Sequence, residues 1–390
     1  MASTNGSNRL GVLLAAGLLV FAAGAARAEE HVTIGFTGPL SGGAALYGKN
    51  TLTGLQDAAS EINAGGGVTV GGAKYLLDVV PLDDKYSPSE AAVNAKRLRA
   101  QYKAPVVFVP HAGGVLALQA FNEQDGFLIG GYTSTPAVTE HGNGLTLRIP
   151  PSFDGYVQPF TQVEMKRFGK KLGMAGGDHD YAKAWAQLIG PAWTKAGGQI
   201  VADNPMSYNK DTDFYSGVSR VLAGNPDVLF VGGASEPTAL VIKQARELGF
   251  QGGFAIMDQA KFDEMAKVLG GLEPLEGAVG VMPLVNDPRP GAEGYIADFR
   301  KKHGDDPGSE AALNYSALYG VAAAMAAAGS VTDAKAIRAK LDEAFAKLPT
   351  AHDPAHIIGV DAKGGARIEF VLATVDHGKL VALDPTKVGE

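Results

Sequence analysis

The chain of 390 residues contains no cysteine, which removes several kinds of structure at once. Disulfides, thiolate metal sites and lipid attachment at a processed cysteine are all excluded. Charged residues are also scarce, at 19% of the chain, and acidic side chains outnumber basic ones by 41 to 34. We therefore expect no nucleic-acid partner. The fold must be stabilised by packing of its apolar residues, which make up 46% of the chain.

Long apolar runs are also rare, and the longest lies near the N-terminus. It extends for 17 residues from Leu10 to Ala26, with Arg9 as the one charged side chain ahead of it. This length is slightly short for a membrane-spanning helix. Ala26-Arg27-Ala28 supplies the small residues that a signal peptidase requires. We therefore expect residues 1–28 to be a cleaved secretory signal, although an uncleaved N-terminal anchor is the alternative.

Catalytic and metal-binding patterns are incomplete in this sequence. Gly43 to Lys49 has the glycine and lysine spacing of a phosphate-binding loop, but Asn50 stands where the motif needs a hydroxyl for magnesium. The nucleophile pattern G-x-S-x-G does not occur. His352 and His356 are four residues apart, but Pro354 interrupts any helix that would align them. We therefore expect a protein that is not an enzyme and has no catalytic residue, metal or cofactor.

The chain after residue 30 alternates short apolar, β-branched runs with segments of helical periodicity, which is the pattern of parallel sheets covered by helices on both faces. The predicted strands are 32–37, 75–81, 105–109, 127–131, 172–175, 199–202, 228–231, 254–257 and 278–282. The predicted helices include 48–64, 89–102, 155–168, 181–196, 212–222, 236–248, 292–303 and 311–328.

This alternation predicts an α/β fold with two doubly wound parallel-sheet lobes. The chain has no long linker, so we expect three short crossovers near residues 148–150, 281–283 and 357–359. The first lobe would contain residues 29–148 and 283–352, and the second lobe residues 149–282 and 353–390. Three crossovers form a hinge, and the cleft between two such lobes is the expected ligand site.

Several segments carry a resemblance to a known family, in its order and spacing. They are Gly38-Pro-Leu-Ser-Gly42, Tyr47-Gly48, Glu61-Ile-Asn-Ala-Gly-Gly66, Asp83-Asp84 followed by a proline, Thr135-Pro136-Ala-Val-Thr139, Asp211-Thr-Asp-Phe214 and Gln244-Ala-Arg-Glu-Leu-Gly249. The sequence resembles the type I periplasmic solute-binding proteins of ABC uptake systems, the leucine/isoleucine/valine-binding protein family. The resemblance implies a periplasmic protein that delivers a small ligand to an ABC permease in the inner membrane, and we expect a monomer.

The resemblance also implies which loops of the first lobe hold the ligand. The family binds a ligand carboxylate on hydroxyl-bearing loops after the third and fourth strands. Here the loop after the third strand is His111-Ala112-Gly113-Gly114, so backbone N–H groups and His111 are its remaining donors. The loop after the fourth strand, Tyr132-Thr133-Ser134, keeps its hydroxyls. Turn capping is the alternative role for Thr133 and Ser134, and packing for His111; Tyr47 is expected to cover the cleft.

On the second lobe, Tyr181 matches a family position whose ring lies over the ligand, although helix packing is its alternative role. Asp178 and Asp180 on either side of His179 are expected to cap that helix. Two further loops, Ser235-Glu236 and Asp258-Gln259, follow later strands and are expected to reach the ligand.

These loops leave the ligand class open. The family's ammonium-binding carboxylate aligns with Gln259 or its neighbour, so Asp258 or Glu236 would have to receive an amino acid's ammonium. Otherwise the ligand lacks an amine and is an aromatic or aliphatic acid or a neutral amide, because an unpaired buried ammonium is costly. A ligand sensor built on the same module is a further alternative.

We predict that the exported protein begins near Glu29, because Ala28 completes the cleavage motif. Removal of Arg9 and Arg27 with the signal leaves 32 basic and 41 acidic side chains, a formal charge of −9. N-terminal sequencing of the exported protein tests this prediction. A sequence beginning at Met1 would contradict it.

Overall fold

The computed structural model describes residues 1–3, 30–287 and 291–384. Apart from its first three residues, the expected signal peptide lies outside the described residues. The described residues form two β-sheets, each covered by helices, and the sheets define the two lobes used below. The α/β fold with two sheet lobes is therefore confirmed.

The first sheet has six strands in the order β2-β3-β1-β4-β5-β6, and all are parallel except β2, which is antiparallel to β3. Side chains of β4 are all buried, because helices cover both faces of the sheet. Phe108 belongs to the core on one face and Val107 to the core on the other. The strands are β1 Glu30–Gly38, β2 Val68–Val70, β3 Ala73–Asp83, β4 Val106–Val109, β5 Leu128–Gly131 and β6 Thr146–Arg148.

The second sheet has seven strands in the order β13-β12-β11-β10-β9-β7-β8. Strands β7 to β11 are parallel, whereas β12 and β13 form an antiparallel hairpin at the edge. His377 and Gly378 both have positive φ, which suits the two-residue turn of such a hairpin. The strands are β7 Lys171–Met174, β8 Gln199–Asp203, β9 Val228–Val231, β10 Gly253–Ile256, β11 Val279–Val281, β12 Leu372–Asp376 and β13 Lys379–Leu383.

Helices α1 to α5 and α11 to α13 lie on the first lobe, and α6 to α10 lie on the second. The helices are α1 Ala45–Ala64, α2 Pro88–Tyr102, α3 Ala112–Gln119, α4 Asn122–Asp125, α5 Ala137–Glu140, α6 Asp154–Arg167, α7 Asp180–Lys195, α8 Tyr215–Leu222, α9 Ser235–Glu247, α10 Phe262–Leu269, α11 Ala292–His303, α12 Ser309–Ala328 and α13 Ala334–Ala346. Short 3-10 helices occupy Glu273–Leu275, Leu284–Asn286 and Thr350–His352.

All nine predicted strands and all eight named helices are present, with ends shifted by a few residues at most positions. The sequence missed β2, β6 and the hairpin β12–β13, so the sheets are mixed rather than wholly parallel. It also missed α3, α4, α5, α10 and α13. Most of these elements are short, from 3 to 8 residues, so their hydrophobic periodicity was too brief to recognise.

The third passage between the lobes lies later in the chain than the sequence predicted. Ala355, Ile357 and Val360 pack in the core of the first lobe, whereas Val371 packs against the core of the second. Backbone bridges join Gly365 to Arg148 and Ala366 to Val360. Residues 353–366 thus lie with the first lobe, not with the second as predicted, because they extend the edge of the first sheet.

Among the described residues, α12 is the one helix long and apolar enough to span a membrane, and 67% of its most apolar stretch is buried within the protein. It is the central helix of the first-lobe core and packs between α1 and α13. Its contact with α1 is unusually close at Gly54. A Cβ atom at this position would lie 2.0 Å from the carbonyl oxygen of Ala311.

We predict that Gly54→Ala destabilises the protein by about 1–3 kcal/mol, because the added methyl group forces α1 and α12 apart. Gly294→Ala is the matched control: it also lies in a helix, and its Cβ would meet no atom within 4 Å. Because alanine favours helix over glycine, the control should gain up to about 1 kcal/mol. Urea unfolding midpoints measure both changes, and equal midpoints would contradict the close contact.

Candidate functional site

A cavity of about 760 Å³, open solvent included, lies between the carboxyl ends of the two sheets and the hinge. Both lobes and the crossover segments contribute to its wall, as expected for a ligand site in two facing parallel sheets. It is lined by Tyr47, Tyr132, Thr133, Ser134, Pro150, Pro151, Tyr156, Tyr181, Asp258, Gln259, Lys261, Val281, Met282, Leu284, Asp287, Ser309, Ala312, Leu313, Ala355, Ile368, Glu369, Phe370 and Val371.

The first-lobe wall is the loop that follows β5. Thr133 and Ser134 are buried there and line the cavity. The Thr133 hydroxyl lies 3.1 Å from that of Thr135, and the carbonyl of Ser134 accepts a hydrogen bond from the backbone N–H of Phe153 at 3.0 Å. The Ser134 side chain hydrogen-bonds to Tyr181 of the second lobe. The loop is thus held from both sides.

Tyr47 covers this loop from the first turn of α1. Its hydroxyl donates to the carbonyl oxygen of Tyr132 at 3.2 Å, and the two rings lie 5.6 Å apart. Burial raises the pKa of both tyrosines well above the ordinary value, so both remain neutral. The two rings therefore give the first-lobe wall a flat, uncharged surface.

On the second-lobe wall, Asp258 lies at the end of β10. The Tyr181 hydroxyl donates to Oδ1 of Asp258, and Trp185 Nε1 donates to the same oxygen at 3.1 Å. The backbone N–H of Gln259 donates to the Tyr181 hydroxyl at 3.2 Å. Burial, followed by the Asp258 carboxylate, raises the pKa of Tyr181 well above the ordinary value. Tyr181 is therefore a neutral donor that fixes the orientation of the Asp258 carboxylate.

Aromatic packing holds this donor pair in place. Trp185 is fully buried and stacks on Phe153 at 4.7 Å, and the edge of Phe153 meets Tyr181 at 5.9 Å. Tyr156 stacks on the far side of Trp185 at 6.3 Å. The indole N–H of Trp185 consequently has a fixed direction toward Asp258.

Part of the hinge side of the cavity is apolar, beside Asp287 and Glu369, and the sequence did not predict this lining. Tyr156 and Phe370 meet edge to face at 4.4 Å. Pro150, Pro151 and Met282 complete this part of the lining. These residues could have been predicted from their position at the three crossovers. Crossover segments line the base of a cleft as well as connect its lobes.

Seven of the thirteen predicted binding residues line the cavity: Tyr47, Tyr132, Thr133, Ser134, Tyr181, Asp258 and Gln259. His111 does not line it. His111 instead caps α3, because its Nδ1 accepts the backbone N–H of Gly114 at 2.9 Å. Its Nε2 therefore carries the proton and donates to Asp84 at 3.0 Å, so both ring nitrogens are occupied within the first lobe.

Ala112, Gly113 and Gly114 form the first turn of α3 and do not line the cavity. A Cβ atom at Gly113 would lie 2.6 Å from an oxygen of Asp180 on the second lobe. Glycine at this position therefore lets the two lobes approach closely.

Ser235 and Glu236 also lie away from the cavity lining. The Ser235 hydroxyl accepts the backbone N–H of Lys261 at 3.0 Å and contacts Glu264 at 2.5 Å, whereas Glu236 is exposed. Ser235 thus fixes the start of α10 from the neighbouring loop.

The helix cap at α7 differs from the sequence prediction. The side chain that caps α7 is His179, whose Nδ1 accepts the backbone N–H of Ala182 at 3.3 Å. Asp178 instead accepts a hydrogen bond from Ser207 at 2.6 Å, and Asp180 is the first residue of the helix. Burial lowers the pKa of His179 to about 4, so the ring is neutral near neutral pH and can accept this hydrogen bond.

The lobes are closed in this structure, because buried polar side chains meet across the cleft. Asn50 of α1 donates to Glu264 of α10 at 2.7 Å, and Gln259 donates to the Tyr86 hydroxyl at 3.1 Å. Lys261 faces Glu310 of α12 at 3.3 Å. The sequence analysis did not identify Lys261, which lies two residues beyond the predicted loop and reaches back over it.

The other sequence motifs have structural explanations. Gly48 passes so close to the backbone that a Cβ atom would lie 1.8 Å from the carbonyl oxygen of Pro39. His352 stacks on Tyr319 at 4.2 Å. Within residues 30–287 and 291–384, no group of three histidine or acidic side chains is placed to hold a metal ion.

Comparison with known proteins agrees with this architecture. A protein of Pseudomonas aeruginosa described as an amino acid binding protein is 28% identical over 316 residues, which cover 79% of this chain and 82% of the relative. A branched-chain amino acid transporter substrate binding protein from Streptococcus pneumoniae, solved in complex with isoleucine, is 23% identical with a TM-score of 0.74 and covers 90% of this chain and 99% of its own.

A solute binding protein of an ABC transporter from R. palustris, solved in complex with benzoate, has the same TM-score of 0.74 at 19% identity, over 90% of this chain and 95% of its own. At these identities the two solved structures show the fold alone. The sequence profile of the periplasmic binding proteins matches residues 31–371, which is most of the chain. The chain therefore belongs to the periplasmic binding protein family, and within it to the type I, leucine/isoleucine/valine-binding group.

Proposed function

We propose that this protein is the periplasmic binding component of an ABC uptake system for a small amino acid or a closely related carboxylate. The ligand is captured between the lobes and passed to a permease in the inner membrane. Affinity and lobe closure are the whole mechanism, with no chemical conversion of the ligand. The relative described as an amino acid binding protein supports this proposal.

The observation that carries the proposal is the arrangement around Asp258. One oxygen of its carboxylate is engaged by Tyr181 and Trp185, and the side chain lines the cavity. A carboxylate fixed in this way is suited to receive a ligand ammonium, because the remaining lone pairs are already oriented. The hydroxyls of Thr133 and Ser134 on the opposite lobe suit the ligand's carboxylate.

The body of the ligand would lie between these two ends. Tyr181 and Tyr47 cover it from the second and first lobes, and the apolar hinge residues Tyr156, Met282 and Phe370 lie at the base. A purely polar ligand would leave these surfaces without an apolar partner. The lining therefore favours a ligand with an apolar side chain.

A ligand without an amine is the second candidate, and one observation favours it. Gln259, which stands at or next to the position of the family's ammonium-binding carboxylate, lines the cavity. An amide at this position cannot neutralise the charge of an ammonium. Such a ligand would be an aromatic or aliphatic acid, or an amide.

A thermal-shift screen of the mature protein against amino acids, organic acids and amides tests the proposed function. A ligand that binds only the folded protein stabilises it and so raises its melting temperature. At a ligand concentration a hundredfold above Kd, the free energy of unfolding increases by about 2.7 kcal/mol. We expect apolar L-amino acids to give the largest increases. A screen in which no amino acid or carboxylate changes the melting temperature would contradict the proposal.

We predict that Thr133→Ala combined with Ser134→Ala weakens binding of the best compound from the screen by at least ten- to a hundredfold. Loss of one hydrogen bond to a charged head group costs roughly 1.5–3 kcal/mol. Thr194→Ala, which removes a hydroxyl bonded within α7 at 3.1 Å, is the control and should leave affinity unchanged. Titration calorimetry measures all three proteins, and unchanged affinity in the double variant would place the head group elsewhere.

Asp258→Asn separates the two ligand classes. An amino acid should bind more weakly to this variant, because its ammonium loses the one fixed carboxylate that we assign to it. A carboxylate without an amine should bind equally well or better, because a nearby negative charge is removed. Calorimetry with both classes of compound distinguishes them, and an amino acid that binds this variant as tightly as the parent would exclude the assigned ammonium site.

A further inference from the structure

Lys261 is a buried lysine whose ammonium group holds the second-lobe wall of the cavity from behind. Its side chain is 7% exposed. The Nζ atom donates to the carbonyl oxygens of Asp258 at 2.5 Å and Gln259 at 3.1 Å. Both carbonyls belong to the loop that presents these two residues to the cavity, so Lys261 fixes the shape of this loop.

The third neighbour of this ammonium group lies on the other lobe. Glu310, in the first turn of α12, approaches Nζ at 3.3 Å and is fully buried. Neither of its carboxylate oxygens accepts a hydrogen bond from the described part of the chain. In the closed protein, the ammonium group of Lys261 is therefore the cation that compensates the buried charge of Glu310.

We propose that Lys261 is a positioning residue that couples ligand capture to lobe closure, by shaping the Asp258–Gln259 wall and by pairing with Glu310 only when the lobes meet. This inference rests on the proposed function, since it concerns closure around a ligand in the same cavity. Lys261 acts through these neighbours, and no contact with the ligand is needed.

The charges around the pair explain why the lysine is required. Burial by itself lowers the pKa of Lys261, but Glu310, Asp258 and Glu264 outweigh this effect and the pKa lies above the ordinary value. Lys261 therefore stays charged. Tyr47, Tyr132 and Asp263 also lie close enough to Glu264 or Glu310 to interact with them electrostatically, and Asp258 interacts with Lys261 in the same way.

Glu264 and Glu310 differ in their hydrogen bonds. Asn50 and Ser235 donate hydrogen bonds to the two oxygens of Glu264, whereas neither oxygen of Glu310 accepts one within the described residues. Burial, followed by Glu310 and Asp263, raises the pKa of Glu264 well above the ordinary value. Glu310 is therefore the carboxylate that depends on Lys261.

Replacement of Lys261 by methionine removes this compensation and shortens the side chain by one atom, while keeping most of its apolar stem. Closing the lobes would then bury the Glu310 carboxylate without a cation. Loss of one partner of a buried pair is strongly unfavourable, so the closed state should be populated roughly a hundredfold less. Glu310→Gln in the same protein removes the uncompensated charge and should restore most of the closure.

The absence of cysteine allows closure to be measured directly. Spin labels at Val93→Cys on α2 and Leu188→Cys on α7 place one probe on each lobe, because both side chains are exposed. Pulsed dipolar spectroscopy then gives the distribution of distances between the two labels. It is recorded with and without a saturating mixture of the L-amino acids that occur in proteins. Lys243→Met is the matched control, since this lysine is exposed on α9 of the second lobe.

We expect the amino acid mixture to close the labelled parent and Lys243→Met, and to leave Lys261→Met open near neutral pH. Lys261→Arg, which retains the charge, and Lys261→Met with Glu310→Gln should both close. Melting temperatures close to that of the parent would show that the Lys261→Met protein is folded.

Lys261→Met that closes as readily as Lys243→Met would overturn the proposal, and so would effects of Lys261→Met and Glu310→Gln that simply add. Failure of the amino acid mixture to close the parent would contradict the proposed ligand class instead. The ligand-free proteins then decide the role of Lys261: a larger closed population in Lys243→Met than in Lys261→Met supports it, and equal populations overturn it.

Discussion

Buried polar groups that find their partners on the opposite lobe are the constraint on which this site depends. Asn50 meets Glu264, and Lys261 meets Glu310, with Asn50 half-buried and the other three side chains buried. A buried polar or charged group without a partner is costly, so each contact is favourable only in one relative placement of the lobes. The same placement brings Thr133 and Ser134 opposite Asp258. Under the proposed function, closure and assembly of the binding site are therefore one event.

Residues outside the cavity also contribute to the contact between the closed lobes. His111 occupies the position where the family pattern has a hydroxyl, but its ring is bonded to Asp84 and Gly114. The adjacent Gly113 lets Asp180 of the second lobe approach. The loop after β4 is thus part of the contact between lobes, and the loop after β5 carries the hydroxyls available to a ligand. This shift explains how the protein retains the family's architecture while its head-group site differs.

Much of the fold could be predicted from the sequence, because runs such as Val106–Val109 are apolar throughout and alternate with long periodic helices. Loops after such strands meet at one edge, and the resemblance to the family indicated which of their residues to name, among them Thr133, Ser134, Tyr181 and Asp258. His111 could not be assigned correctly, because a histidine that caps its own helix has the same local sequence as one that faces a ligand. Lys261 was missed because its partner Glu310 is 49 residues away in sequence on another lobe, and pairing at that range leaves no local pattern.

Closure of the two lobes around the ligand is the central claim. Small-angle scattering of the mature protein tests it most directly, with and without saturating amounts of the compound that most increases the melting temperature. Ligand shifts the population toward the closed form, since the contacts of both lobes are available only there. The radius of gyration should therefore fall when the compound binds. An identical radius in the two samples, with binding verified by calorimetry, would contradict the account.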